Sequence, residues 1–240
     1  WDTNSTIQTT YTTDAHWIWW STMTTNVFFS LKITAGTPPP AQSVLSGWLN
    51  TDNMHAAYIS SEESKEGTFL TTSTTWWTTD TFETNLEPGT NYWLHVYCED
   101  HGGAAHFLAT LSLAAASGET VNHEFPNGQT SIETTDSSRW SVSRDTSTSP
   151  YYDSNWWGST HTTSAVPATS RGNPGHSSWG GGITGHSADN EAIWSSSQTD
   201  DHVYVSIPIT AVSGERRLKA KSQSGAKSKK SNQSVSAKNK

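Results

Sequence analysis

Residues 92–113, YWLHVYCEDHGGAAHFLATLSL, alternate with a period of two on both sides of a central turn, and this constrains the fold more than any other stretch. Side chains along a strand point to opposite faces in turn, so Tyr92, Leu94, Val96 and Cys98 share one face. Ala105, Phe107, Ala109, Leu111 and Leu113 share another. Gly102 and Gly103 supply the turn between them, and Pro88 with Gly89 in LEPGTN supplies the turn before. The expectation is two antiparallel strands, paired with each other and buried on one side, with Cys98 a small core residue.

Composition extends this to the whole chain. About three residues in ten are Ser or Thr, there are 13 Trp among 240 residues, and charged residues make up only 15%. Thr, Trp, Tyr and Val suit half-buried strands, whereas the helix formers are scarce. An all-β, antiparallel β-sandwich follows, with long loops rich in Gly, Ser and Trp between 114 and 190. The single cysteine, Cys98, excludes an intrachain disulfide framework. No stretch approaches the roughly 20 apolar residues of a membrane-spanning helix.

One phrase occurs twice. WIWWSTMTTNVFFSLKI at 17–33 matches AIWSSSQTDDHVYVSIPI at 192–209, with Val27, Phe29, Leu31 and Ile33 aligned to Val203, Val205, Ile207 and Ile209. Only this segment recurs, so the chain reads as one complete unit followed by the opening phrase of another. In the second copy Val203, Val205, Ile207 and Ile209 face inward. Pro208 lacks a backbone donor and Lys32 occupies its place in the first copy, which marks both as edge or near-edge strands.

Charge divides the chain at Gly214. Five Lys and Arg stand against 21 Asp and Glu before it, and nine against one after it, so a body of about −16 precedes a tail of about +8. The expected organisation is a body over 1–213, divisible near 116/117, and a basic, extended tail over 214–240. Such a tail suits nucleic acid or the acidic body of a neighbouring copy; the acidic body opposes nucleic acid.

Several residues are candidates for chemistry. His95, Cys98, His101 and His106 cluster in sequence and invite a zinc reading, but parity sends His95 and Cys98 to opposite faces and the spacing matches no strong zinc signature. Asp52 and Asn53, with Glu62 and Glu63, offer oxygen to calcium as the alternative to a site without metal. Ser, His and Asp are too abundant for an imagined triad to be specific, and GxSxG and HExxH are both missing, so the expectation is no enzyme and no cofactor. The pairs Trp76–Trp77 and Trp156–Trp157, if extended, each send one ring out of the core, towards a sugar, a subunit interface or an overlying loop. Asn4 and Asn232 begin N-glycosylation sequons.

The order of features resembles a recurring extracellular module. Ala15 to Trp19 (AHWIW), Asp52–Asn53, Trp76 or Trp77 before a strand, LEPGTN at 86–91, Gly102–Gly103–Ala104, Trp140, YDSNW at 152–156, Pro167–Ala168 and a closing Ala192–Ile193–Trp194 are similar to the galactose-binding-like or PA14-like jelly rolls of microbial surface and adhesion proteins. The resemblance covers about 14–209 and implies extracellular or cell-surface binding, adhesion or architecture. It carries over no catalytic residue, and MHAAYISSEESKEGT after Asn53, turning at Lys65 to Gly67, departs from the module's pattern.

Two functions are therefore expected. The first is a glycosylated structural subunit that polymerises into a fibre, sheath or appendage, with Val203, Val205, Ile207, Pro208 and Ile209 adding to a neighbour's sheet and Arg216, Arg217, Lys219 and Lys221 meeting its acidic surface. The second is a monomeric carbohydrate-binding or adhesin module that uses its outward Trp residues.

Overall fold

The computed structural model describes residues 42–116, 120–144, 153–173, 185–197 and 199–212. They form two antiparallel sheets packed as a sandwich. Sheet one contains β1 (Ser43–Asp52), β4 (Asp80–Leu86), β6 (His106–Ala115), β8 (Ser131–Glu133), β11 (Thr169–Gly172) and β12 (Ala192–Trp194). Sheet two contains β2 (Met54–Ser60), β3 (Thr68–Ser73), β5 (Tyr92–Glu99), β7 (His123–Glu124), β9 (Ser141–Arg144), β10 (Val166–Pro167) and β13 (His202–Ala211). The order in sheet one is β11-β12-β6-β1-β4, with β8 also on β6; in sheet two it is β10-β9-β13-β5-β2-β3, with β7 also on β13. Both sheets draw strands from each side of residue 116, so the described body is one sandwich.

The core lies where the alternation places it. Leu94, Val96 and Cys98 of β5 meet Phe107, Ala109, Leu111 and Leu113 of β6 in one buried cluster, joined by Leu45, Leu49 and the inward residues of β13. Burial pushes the Cys98 thiol pKa up, as expected of an inert core residue. The faces are as expected, but the pairing is not. β5 pairs with β2 and β13, and β6 with β1, β8 and β12, so the two strands oppose each other across the core. The EDHGG turn crosses between sheets, with Gly102 and Gly103 at φ of 109° and 111°. Parity reports which side chains share a face, and it is silent on which backbone lies alongside.

The Lys65–Gly67 turn is present between β2 and β3. Gly67 has φ 91°, and a Cβ there would lie 2.1 Å from the carbonyl oxygen of Ile59. No other residue fits without moving that strand.

The edge placement of 203–209 is corrected. β13 pairs with β5 over residues 202–209 and, on its other side, with β9 over 203–206 and β7 over 210–211. Pro208 is tolerated because of alternation. Ala211 N reaches Asn91 on the β5 side, whereas Val212 N reaches Asn122 on the β7 side. Even-numbered residues thus turn away from β5, and Pro208 falls in the gap between β9 and β7. Val203, Val205, Ile207 and Ile209 are all fully buried. At about 1.5–3 kcal/mol each, they tie β13 to its own sandwich by an amount comparable with a typical net stability of about 5–15 kcal/mol. The second copy therefore closes this sandwich.

Arg216, Arg217, Lys219, Lys221, Asn4, Asn232, Lys32 and the whole first copy lie outside the described residues. Among the described residues, no helix is long and apolar enough to cross a membrane.

Candidate functional site

The two Trp pairs have different fates. Residues 153–165 fold over the outer face of sheet two, in a wide helical turn at Trp157–His161 and a short helix, α1 (Thr162–Ser164). Trp156 stacks on Tyr204 with ring centroids 5.1 Å apart, and Trp157 meets Tyr204 edge-on at 4.9 Å and stacks on His95 at 4.2 Å. Trp156 Nε1 donates to Ser143 Oγ at 2.9 Å, and the same hydroxyl pairs with His161 Nδ1 at 2.7 Å. Ser206 Oγ pairs with His95 Nδ1 at 3.0 Å. Burial, and then the neighbouring His161, push His95 down to about 3, against the backbone of Glu62 and Glu63; burial takes His161 to about 4. Ser143 and His161 stand at the distance of a nucleophile and its base. Both are buried, and the hydroxyl already receives the Trp156 indole N–H, so the contact holds the cover in place.

Trp76 and Trp77 sit instead on the connection from β3 to β4, which passes from the edge of one sheet to the edge of the other. They are 39% and 65% exposed. Their rings meet edge to face, with centroids 5.5 Å apart and planes at 89°. The fastening is through backbone and hydroxyls. Asn50, fully buried on β1, donates from Nδ2 to the carbonyls of Trp76 at 2.8 Å and Thr78 at 2.7 Å. Its Oδ1 pairs with His106 Nε2 at 2.8 Å, which requires the proton on Nε2 of a neutral imidazole. Burial lowers His106 to about 4 and keeps it neutral. Ser73, Thr75 and Thr78 close the connection with hydroxyl contacts among themselves. The result is a ledge: an exposed aromatic pair on a connection whose Trp76 and Thr78 carbonyls are held by a buried Asn–His couple. An immobilised aromatic surface loses little entropy when a ligand lands on it.

The metal candidates do not converge. His95 lies under the cover on sheet two, Cys98 in the core and His106 beneath the ledge on sheet one. His101 stands on the exposed inter-sheet turn, beside Glu99 at 2.6 Å. Asp52 ends β1 and Asn53 follows it, whereas Glu62 and Glu63 lie just beyond the far end of β2, with Glu62 paired to Lys65. Asn53 N donates to Glu99 O at 2.6 Å, and its Oδ1 accepts from His101 N. Asp52 is buried, its Oδ1 has no hydrogen-bond partner among the described residues, and burial followed by the charge of Asp100 raises it to about 6. Among the described residues, no group of three His, Cys, Asp or Glu side chains is placed to hold a metal ion.

Among the described residues singled out in the sequence, only Trp76 and Trp77 form an accessible constellation. Asn50 and His106 complete it, and a lone buried Asn in a strand has no sequence signature of that role. Trp48, 41% exposed on β1, stands two residues from Asn50 on the same face and was also missed. No family model, no curated protein and no solved structure matches this chain.

Proposed function

We propose that the protein is an extracellular carbohydrate-binding module that holds a glycan on the Trp76–Trp77 ledge. The observation that carries the reading is an exposed aromatic pair whose backbone is fixed from below by Asn50. Sugars bind through their C–H faces to aromatic rings and through hydroxyls to polar groups, and the ledge joins both: two indoles beside Thr75 and Thr78. A ring 65% exposed contributes little to folding, and its face is open to a ligand. A glycan array probed with monomeric protein tests this. Binding to at least one glycan, lost on Trp77→Ala while the thermal midpoint holds, is the expected result; equal binding by the variant overturns it.

A second reading, the structural subunit of a fibre or sheath, is favoured by one observation: the phrase repeated at 17–33 is, in its second occurrence, the one that builds β12 and β13. Repetition of a sandwich-closing phrase suits a protein made of sandwiches in series. β13 itself has no free edge over 203–206, so contacts in such an assembly involve other surfaces. Light scattering on the full chain across salt concentrations separates the readings: polymers support the second, and a monomer at every concentration rejects it.

A further inference from the structure

We infer that the binding surface continues past the ledge onto the outer face of sheet one, where Trp48 is a second stacking position, and that its ligand is an extended, uncharged polysaccharide chain. This rests on the glycan reading of the ledge.

The face follows from the register. Leu45 and Leu49 point into the core, so Val44, Ser46, Trp48 and Asn50 point outward. Trp48 stands level with Thr81 of β4 and Thr110 of β6; Ser46 stands level with Glu83 and Ser112. Because Asn50 shares the outward face and holds the carbonyls of Trp76 and Thr78, the ledge overhangs this same face. It begins two residues along from Trp48, about 7 Å at strand rise. Two aromatic platforms thus lie in sequence on one surface, within reach of a single oligosaccharide.

Trp48 is also fixed. The backbone of Gly185 packs against its benzo ring so closely that a Cβ there would lie 2.0 Å from the ring carbon Cε3. One side of the indole is therefore held while 41% of the residue stays exposed. Around it the open positions are Ser46, Thr81, Glu83 and Ser112, a hydroxyl-rich floor that borders a cleft of about 510 Å³ reaching Asn127 and Glu133. The floor around Trp48 is polar. Its hydroxyls and amides match the donors and acceptors of a sugar chain.

Charge selects the kind of chain. Glu83 lies on the floor, Glu133 and Asp136 line the cleft, and among the described residues the cation beside them is Arg139, paired with Asp136 at 3.6 Å. A polyuronate or sulfated chain would meet the carboxylates of Glu83 and Glu133, which have no cationic partner among the described residues, whereas a neutral chain meets no such penalty.

The test uses the full chain with soluble mixed-linkage β-glucan, galactomannan and polygalacturonate in affinity gels, then titration with the disaccharide and hexasaccharide of whichever neutral polymer retards it. Retardation by a neutral polymer and not by polygalacturonate is expected. Trp48→Ala should weaken hexasaccharide binding about tenfold and leave the disaccharide unchanged, with Trp48→Phe retaining most of the affinity; Trp77→Ala should weaken both. Unchanged hexasaccharide binding by Trp48→Ala overturns this inference and leaves the ledge standing. Retardation by polygalacturonate overturns the charge selection. Indifference of every polymer, or of Trp77→Ala, removes the ledge reading and this inference together.

Discussion

Trp156 and Trp157 lie 6% and 0% exposed over the outer face of sheet two, whereas Trp76 and Trp77, the same dipeptide, stand 39% and 65% exposed beside sheet one. The difference lies in what each pair is offered. Beneath 153–165, the outward positions of β5 and β13 are His95, Tyr97, Tyr204 and Ser206, an aromatic and hydrogen-bonding floor that both indoles can cover. Beneath 74–79 the outward residue is Asn50, which binds carbonyls and leaves the rings free. One connection is fastened by its side chains and the other by its backbone. A ring becomes structural in the first case and available in the second.

Acid is the harshest way to break this contrast, because both fastenings rest on neutral histidines. His95 and His161 under the cover, His106 under the ledge, and His55 and His186 elsewhere are all lowered, chiefly by burial, to about 3 for His95 and about 4 for the others. Their folded values lie below the unfolded value near 6.5. The unfolded chain therefore takes up more protons, and stability is full above about pH 6.5 and lost as pH falls towards 4. Each group contributes about 1.4 kcal/mol per pH unit within that window. Asp52, raised to about 6, and Asp100, also raised by burial, act in the opposite sense, two groups against five. Urea melts at pH 7, 6 and 5 should show a steep fall in stability; a flat profile would mean that these histidines are not neutral burials.

Trp157→Ala should cost about 3–5 kcal/mol, as for a fully buried Trp, while Trp77→Ala should stay within about 0.5 kcal/mol, as for an exposed position. Paired denaturant melts measure both, and similar losses would erase the distinction between cover and ledge. Asn50→Ala sharpens it. That change leaves the Trp76 and Thr78 carbonyls and His106 short of a partner and should cost about 1–3 kcal/mol. It should also free the exposed indoles, read as lowered tryptophan anisotropy; unchanged anisotropy would show that the hydroxyl contacts of Ser73, Thr75 and Thr78 suffice.

The sandwich was legible where one face of a strand is buried. Leu94, Val96 and Cys98, Phe107 to Leu113, and Val203 to Ile209 all announce their inward face by alternation. The LEPGTN, EDHGG and KEG turns are legible from glycines that the backbone needs at positive φ. The neighbours of each strand were not. Pro208 suggested an edge because a missing donor is tolerated there, and a gap between two short partner strands tolerates it as well. Asn50 and His106 were illegible as a site because neither residue type in a strand announces a partner 56 positions away.

By itself, then, the sequence determined that the chain makes strands, which side chains enter the core and where the chain turns, since these depend on local alternation and local φ. The tertiary structure alone decided that β5 and β6 oppose each other, that β13 is central, that one Trp pair is covered and that the other stands on a ledge. These outcomes depend on which distant surfaces meet, and the free energy of such a meeting belongs to both surfaces at once.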